Sequence, residues 1–223
     1  MNKESPLLVL LGGPGSGKGT HGQTLSDTFH LRHLSTGAHF RRQMAERTPL
    51  GIIAQDYIDR GQLVPDEIAT QFLIELLNEL PAGEGFILDG YPRSLQQAHD
   101  LKKILQEKGA ALSGALYLRI SDEEIVRRLS GRLTCQDCEK TFHEIFNPPS
   151  VPGVCPACGG KLYRRDDDEP STIRKRILVF HAGVEPLLEF YRTEKLLREI
   201  DAEGPSDQVR QIVIAAAQKA IAR

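Results

Sequence analysis

The sequence contains no tryptophan, only 6% aromatic residues and no large excess of charge of either sign. Its 28 lysine and arginine residues nearly balance 30 aspartate and glutamate residues, so the formal net charge is -2. A chain with this balance has no global attraction for nucleic acids or anionic membranes. Few aromatic side chains are present to stack on bases. The composition therefore predicts that nucleic acid is not a partner.

Long hydrophobic runs are also missing, since no window approaches the roughly 20 apolar residues needed to span a membrane. The first residues, MNKESPLLVLLGG, contain a short apolar run that ends in glycines and has no small-residue cleavage pattern. We interpret this run as a buried strand, and we expect a cytoplasmic protein that does not associate with membranes.

Cysteine is scarce, and the four cysteines form two C-x-x-C pairs, Cys135/Cys138 and Cys155/Cys158. The spacing C-x2-C-x16-C-x2-C is typical of a four-thiolate zinc site. Cytosolic thiols stay reduced, which favours metal ligation over disulfides, with free thiols or a redox pair as the alternatives. Four cysteine ligands leave zinc no open position, so we predict a structural metal and no ligand role for His143.

Short apolar runs bounded by glycine alternate with longer helical patterns, which is typical of a parallel sheet with crossover helices. The runs are LLVLLG from Leu7, GFILDG from Gly85, ALYLRI from Ala115 and LLREID from Leu196, with a shorter fifth strand near His33 and Leu34. Helical spacing is clear at Ile68, Phe72, Leu73, Leu76 and Leu77. A last helix is predicted over Pro205 to Ile221, with proline in its first turn.

Two stretches interrupt this alternation and are interpreted as insertions at the edge of the sheet. Residues 36–65 are helical and polar, whereas residues 131–170 contain the cysteines, several glycines and an acidic DDDE run. The second stretch is predicted to be an irregular small lobe. About forty residues cannot hold themselves together by burial alone, which gives a bound metal a stabilising role. The remaining segments, 1–35, 66–130 and 171–223, are predicted to form the core domain.

The segment LLGGPGSGKGTH follows a strand and opens a helix, which is the context of a phosphate-binding loop. Glycines allow successive backbone N–H groups to face one concavity, and the helix N-terminus adds partial positive charge. Lys18 can reach phosphate oxygens. The general pattern has serine or threonine directly after the lysine, but here Gly19 follows and the hydroxyl comes at Thr20.

Two further positions suggest ligand contacts when they are read with the phosphate loop. Asp89 ends the strand in GFILDG, at the carboxyl edge where open α/β sheets bind ligands. It is predicted to hold water around Mg²⁺, although an isolated aspartate here can also be a turn residue. In LSTGAHFRRQM, Thr36 is predicted to cap a helix and Arg41 to meet a phosphate. Taken alone, a basic helical residue such as Arg41 is more often a solvated charge.

The motifs GGPGSGKGT, LSTG, GFILDGYPRS and RRDDD, in this order and at these separations, resemble the nucleoside monophosphate kinases. The most similar members are the long-form bacterial adenylate kinases, and the resemblance covers nearly the whole chain. It implies a P-loop nucleoside monophosphate kinase fold with a parallel five-stranded sheet, an AMP-binding lobe at 36–65 and a zinc-containing lid at 131–170. It also implies a monomer that converts ATP and AMP into two ADP with Mg²⁺.

The resemblance also implies roles for individual residues. The catalytic group comprises Lys18, Asp89, Arg93, Arg128, Arg132, Arg165 and Arg176. Contacts to ATP are implied for Gly15, Ser16, Gly17, Lys18, Gly19, Thr20, Arg132, Thr141, Phe142 and Gly204. Contacts to AMP are implied for Thr36, Arg41, Gln62, Leu63, Val64, Gly90, Tyr91, Pro92, Arg93, Gln97, Arg165 and Arg176.

Lid closure would bring part of this group into place. Arg132 and Arg165 flank the second insertion and are expected to move with it, whereas the other catalytic residues belong to the core. Asp167 and Asp168 are expected either in a polar network at the hinge or in a solvated acidic turn. The chain departs from the family pattern at His21, Ala38 and His39, where the family usually has glutamine, aspartate and methionine.

Two other functions compete with this interpretation. A kinase for GMP, UMP or CMP would share the loop and the arginines, but Gln97 can pair with an adenine edge through its amide donor and acceptor. A nucleic-acid-binding ATPase with a zinc ribbon is disfavoured by the net charge, the shortage of aromatic residues and the acidic run beside the cysteines.

Overall fold

The computed structural model describes residues 5–81 and 83–222, and within them five strands form one parallel sheet in the order β2-β3-β1-β4-β8. Its strands are β1 (Leu7–Gly12), β2 (Arg32–Ser35), β3 (Phe86–Asp89), β4 (Gly114–Arg119) and β8 (Leu197–Asp201). The predicted sheet, including the short strand near His33, is confirmed.

Strand β1 lies in the centre of the sheet, and its side chains alternate between two apolar cores. Leu7, Val9 and Leu11 pack into the core on one face, whereas Leu8 and Leu10 pack into the core on the other. A parallel strand covered on both faces has a continuous hydrophobic sequence, which explains the run LLVLLG. Its carboxyl end is fixed beside that of β3, because Leu10 is paired with Asp89.

Helices cover both faces of the sheet and connect its strands. They are α1 (Lys18–Phe29), α2 (Thr36–Ala45), α3 (Pro49–Asp59), α4 (Asp66–Asn78), α5 (Leu95–Glu107), α6 (Asp122–Ser130), α7 (Pro170–Thr193) and α8 (Ser206–Ile221). The apolar positions predicted for α4 lie on its packed side, with Phe72 and Leu73 fully buried. The last helix begins one residue later than predicted, because Pro205 occupies its N-cap position. No helix in the described ranges is long and apolar enough to cross a membrane.

The first insertion contains α2 and α3, and the start of α2 corrects a prediction. Ser35, not Thr36, is the N-cap, and its hydroxyl accepts a hydrogen bond from the backbone N–H of Ala38 at 3.3 Å. Thr36 is instead the first helical residue. It is buried, and its hydroxyl donates to the backbone carbonyl of Asp89 at 3.2 Å. This bond ties the start of α2 to the carboxyl end of β3.

The second insertion is more regular than the sequence suggested. It contains an antiparallel sheet in the order β6-β5-β7, built from β5 (Arg132–Cys135), β6 (Thr141–His143) and β7 (Leu162–Tyr163). The sequence predicted a small irregular lobe without these strands, because they are only two to four residues long and leave little periodicity to detect. A 3-10 turn, Asp166–Asp168, leads from this sheet into α7.

Candidate active site

A cleft with a volume of about 1930 Å³ opens at the carboxyl ends of the central strands. Its walls come from the phosphate loop, from α2 and from the small sheet of the second insertion. Every nucleotide-binding and catalytic residue predicted from the sequence lines this cleft except Ser16, which is fully buried beneath the loop. Ligand pockets for one small molecule typically measure about 300 to 1,000 Å³, so the cleft is large enough for two nucleotides.

The phosphate loop lies between β1 and α1, and two of its glycines adopt left-handed backbone conformations. Gly15 has φ +74° and Gly17 has φ +90°, a region that side chains with a Cβ rarely adopt. These turns bring the loop to the N-terminus of α1, which begins at Lys18. The loop therefore combines backbone N–H groups with the positive end of a helix, as an anion site requires.

Lys18 folds back over the loop. Its Nζ donates hydrogen bonds to the backbone carbonyls of Gly12 and Gly13, both at 2.7 Å. Desolvation at the base of the cleft lowers the pKa of Lys18 to about 7; Arg93 and two further arginines act in the same direction, and Asp89 opposes them. A group with this pKa gains a proton readily when an anion arrives, since a nearby negative charge favours the ammonium form.

Asp89 lies beside the loop, with its side chain almost fully buried. Burial alone would raise the pKa of this carboxyl, but His33, Lys18 and Arg93 outweigh it and hold the pKa below its ordinary value. His33 Nε2 is 3.5 Å from Asp89 Oδ2. A Cβ placed on Gly19 would lie 3.7 Å from the same oxygen, so the ionised carboxylate faces the start of α1.

The arginines at the base of the second insertion are held by acidic residues of the 3-10 turn. Asp168 accepts two hydrogen bonds from Arg132, at 2.7 and 2.5 Å, and one from Arg176 at 3.2 Å. Arg176 Nη1 also donates a hydrogen bond to the backbone carbonyl of Asp167 at 2.9 Å, and it lies 2.8 Å from the carboxylate oxygen Oδ2 of the same residue. The side chain of Asp168 is only 4% exposed, so the prediction of a polar network is confirmed and that of a solvated acidic turn is wrong.

The other arginines approach the cleft from separate elements. Arg165 Nε donates to the hydroxyl of Thr134 at 2.9 Å, and Arg93 Nε donates to the carbonyl of Gly90 at 2.8 Å. Burial, together with the positive charge of Arg132, lowers the pKa of Arg165. Arg128 is held by Glu124 at 2.6 Å. So many like charges in one cleft repel one another, and a polyanion would relieve that repulsion.

On the other side of the cleft, Gln97 is nearly fully buried and is bonded at both ends of its amide. Its oxygen accepts from the backbone N–H of Arg93, and its nitrogen donates to Asp66, both at 2.7 Å. A carboxamide has two lone pairs and two N–H groups, so each end keeps one further position for a ligand. Asp66 also accepts a hydrogen bond from Ser94 at 2.7 Å, which fixes the start of α5.

The segment between β3 and α5 contributes backbone to the same wall. Gly90 has φ +87°, and a Cβ there would lie 2.6 Å from the hydroxyl of Thr36. The peptide bond between Tyr91 and Pro92 is cis. Tyr91 shares a 2.8 Å hydrogen bond with Thr70. The predicted segment Gln62 to Val64, shortly before α4, also lines the cleft.

The four cysteines lie together at the end of the small sheet, in an arrangement that could hold a metal ion. Their Sγ atoms all lie within 4.8 Å of one another, with Cys135 and Cys158 at 3.5 Å and Cys138 and Cys155 at 3.6 Å. A tetrahedral ion with bonds of about 2.3 Å to sulfur separates its ligands by about 3.8 Å, so the cluster fits zinc. All four are free cysteines rather than disulfides.

His143 is paired with Arg132, at the opposite end of β5 from Cys135. Its Nδ1 accepts hydrogen bonds from the backbone N–H groups of Ile145 and Phe146, at 3.0 and 3.2 Å. Its Nε2 is 3.3 Å from the carbonyl of Arg127 and donates to it in the tautomer that the Nδ1 contacts require. Both ring nitrogens of His143 therefore have hydrogen-bond partners in the backbone.

Three residues at the cleft were not identified from the sequence. His33 was assigned only to a strand, although its position near the carboxyl end of β2 could have marked it, since ligands bind at that edge. Asp66 is the first residue of α4 after the N-cap Pro65, and its carboxylate accepts a hydrogen bond from Gln97. Glu139, which follows Cys138, contacts Arg41 across the cleft. No local pattern indicates that contact.

The fold and the cleft together define a P-loop nucleoside monophosphate kinase. The family model described as adenylate kinase matches residues 10–196. An adenylate kinase from Acidothermus cellulolyticus is 44% identical over 209 residues, covering 94% of this chain and 96% of the relative. The chain is also 44% identical to an adenylate kinase from Caldicellulosiruptor bescii, with 85% of this chain and 88% of the relative covered. It is 40% identical to one from Streptomyces coelicolor, with 95% of this chain and 98% of the relative covered. The chain belongs to the adenylate kinase family.

Proposed function

We propose that the protein catalyses the reversible, Mg²⁺-dependent transfer of the terminal phosphoryl group of ATP to AMP, which gives two ADP and balances the adenine nucleotides. The observation that carries this proposal is the arrangement of the cleft. One end has a phosphate loop with its lysine, the other has Arg41 and Gln97, and arginines lie between them. Curated relatives with up to 44% identity carry the name adenylate kinase.

The donor nucleotide would bind at the phosphate loop. Backbone N–H groups from Gly15 to Thr20 would bind its phosphates, and Lys18 would exchange the carbonyls of Gly12 and Gly13 for phosphate oxygens. Arg128 and Arg132 would add charge along the same chain of phosphates. The base would lie between the second insertion and the start of α8, where Thr141, Phe142 and Gly204 line the cleft.

The acceptor nucleotide would bind on the opposite wall. Arg41, Arg93, Arg165 and Arg176 would hold its phosphate, and Thr36 would fix the wall behind it. The base would lie against the segment Gln62–Val64 and the backbone of Gly90 to Pro92. The unused N–H and lone pair of Gln97 match the acceptor and donor of an adenine edge, which supports AMP over other monophosphates.

This chain can supply alignment and charge, which is what phosphoryl transfer requires. The charge of the reaction spreads over the transferring oxygens, so fixed donors stabilise it without covalent chemistry. Mg²⁺ bound with ATP supplies charge neutralisation between the phosphates when present. Asp89 would hold water molecules of that ion, since its carboxylate is ionised and faces the loop.

Closure over the cleft would exclude water, which competes with AMP as acceptor. We propose that residues 36–65 and 131–170 move as the AMP-binding lobe and the lid, against a core of residues 1–35, 66–130 and 171–223. Arg132 and Arg165 would travel with the lid. Zinc would be structural, because Cys135, Cys138, Cys155 and Cys158 fill its coordination shell and leave no open position.

The proposal includes a cytoplasmic monomer that acts on ATP, AMP and ADP without nucleic acid or membrane. Its test is a coupled assay of ATP consumption with each of AMP, GMP, UMP and CMP as acceptor. We expect a strong preference for AMP in kcat/KM. A preference for any other monophosphate would overturn the substrate assignment. Tight binding of single- or double-stranded nucleic acid in a gel shift at moderate salt would overturn the partner assignment.

A further inference from the structure

Helix α6 packs directly against the phosphate loop. A Cβ placed on Gly13 would lie 3.0 Å from a side-chain carbon of Ile125, and one placed on Gly15 would lie 3.1 Å from Leu129. Ile125 and Leu129 are both buried. Because they are four residues apart, they lie on the same face of the helix and fix that face against the loop. Residues next to this face are therefore held close to the donor site.

Glu124 directly precedes Ile125 and holds the two arginines of the next turn. Its Oε1 accepts a hydrogen bond from Arg128 Nε at 2.6 Å, and its two oxygens accept from Arg127 at 2.6 and 2.8 Å. The side chain of Glu124 is only 13% exposed. Hydrogen bonds from Arg127 and Arg128 hold the pKa of Glu124 below its usual value although burial opposes them, so the carboxylate is ionised.

The two arginines have different surroundings. Arg127 is exposed, whereas Arg128 is only 23% exposed and extends to the loop after β8. There its Nη2 donates a hydrogen bond to the carbonyl of Ala202 at 2.8 Å. Ala202 is fully buried and lies two residues before Gly204, which is proposed to contact ATP. A guanidinium has five N–H groups, so Arg128 keeps up to three for a ligand after these two bonds.

The charge of Arg128 also acts on the start of α1. Burial, and then the positive charge of Arg128, lower the pKa of His21 to about 4. His21 lies in α1, and its ring is 3.2 Å from the position of a Cβ placed on Gly17. The guanidinium of Arg128 is therefore close enough to the end of the phosphate loop to act on groups there, and the neutral ring of His21 adds no charge of its own.

We propose that Glu124 is a positioning residue for the donor nucleotide. It fixes the guanidinium of Arg128 between α6 and the loop after β8, so that the other N–H groups of Arg128 meet ATP in one orientation. This inference rests on the proposed role of Arg128 at the phosphates of ATP. A long side chain loses rotamer freedom when it binds a ligand, and Glu124 reduces that cost by ordering Arg128 beforehand. The effect of Glu124 on ATP thus passes through Arg128.

The test is calorimetric titration of several variants with ATP and Mg²⁺, and separately with AMP. Glu124→Met removes the carboxylate and keeps an unbranched side chain that favours a helix. Arg128→Met removes the arginine, and a double variant carries both changes. Glu123→Met is the matched control, because Glu123 is the exposed neighbour with the same charge in the same first turn. Scanning calorimetry shows whether each protein is folded.

We expect Glu124→Met to bind ATP about three- to tenfold more weakly, the range for ordering one long side chain. Glu124→Gln keeps one oxygen for Arg128, so it should lose less affinity, and it provides the same test if the methionine variant does not fold. AMP binding should be unchanged, and Glu123→Met should match the wild type with both nucleotides. When Arg128 is already methionine, replacing Glu124 should cause no further loss. A purely structural role for Glu124 would not give this coupling.

Three results would contradict the inference. Equal losses of ATP affinity with and without Arg128 would overturn it, and so would unchanged or tighter ATP binding by the Glu124 variants. Wild-type affinity for ATP in Arg128→Met would overturn it too and would remove Arg128 from the donor site, with the proposed function intact. Failure of the wild-type protein to bind ATP would overturn the proposed function itself.

Discussion

Asp168 is the residue whose replacement should destabilise the protein most for the smallest chemical change. Its carboxylate is 4% exposed and lies between Arg132 at the start of β5 and Arg176 in α7. The chain enters the second insertion just before Arg132 and leaves it through the turn that contains Asp168. One carboxylate therefore ties both connections of the insertion to the long helix α7.

The magnitude follows from the geometry of this pair. Asp168→Asn keeps the size of the side chain but leaves Arg132 without its two-bonded partner. Arg176 keeps its contact with Asp167. Removing one partner of a buried ion pair typically costs about 3 to 5 kcal/mol. Because Arg132 is 16% exposed and can recover some hydration, we expect the lower end, about 3 kcal/mol.

Differential scanning calorimetry measures this effect directly. In a chain of this length, about 3 kcal/mol corresponds to a fall in Tm of roughly 6 to 12 °C. Asp122→Asn is the control, because Asp122 pairs with His181 on the surface, where both side chains are about half exposed, and its Tm should change little. A fall of under about 2 °C for Asp168→Asn would refute the view that this carboxylate ties the insertion to α7.

Three further predictions concern the metal, the loop and the arginines. Removing zinc with a chelator should lower the thermal stability of the protein and the hydrogen-exchange protection of residues 132–163 well before it abolishes phosphoryl transfer in the cold. Loss of activity while these residues keep their full hydrogen-exchange protection would contradict a structural role for the metal. ATP phosphates should raise the pKa of Lys18 from about 7, so ATP binding above that pH should take up a proton and become weaker as the pH rises. Calorimetry in buffers of different ionisation enthalpy measures this proton uptake. The Lys18→Arg variant should show no such uptake. Arg93→Met should lower kcat at least roughly 100-fold. Arg119→Met is the control and should leave kcat unchanged, because Arg119 forms an exposed ion pair with Asp201. A small effect of Arg93→Met on kcat would show that Arg93 is not a catalytic residue.

The sheet was predictable because a parallel strand covered on both faces leaves a continuous apolar run in the sequence. The side chains of LLVLLG pack alternately into the two cores, so nearly every position of the strand must be apolar. The small sheet of the second insertion was not predictable on the same grounds. Its strands are too short to show a period, and β5 pairs with β7 across the whole segment that contains the cysteine pairs.

The same distinction separates the site residues that were identified from those that were missed. The phosphate loop is local, since its glycines, its lysine and the helix start are adjacent in the chain. The contact between Arg41 and Glu139 spans 98 positions, and that between Arg132 and Asp168 spans 36. The local sequence around each of these residues is that of an ordinary surface charge. Only the fold brings the two partners together. The sequence could place Asp168 in a polar network, but only the structure shows that its partner is Arg132 and that Arg41 contacts Glu139.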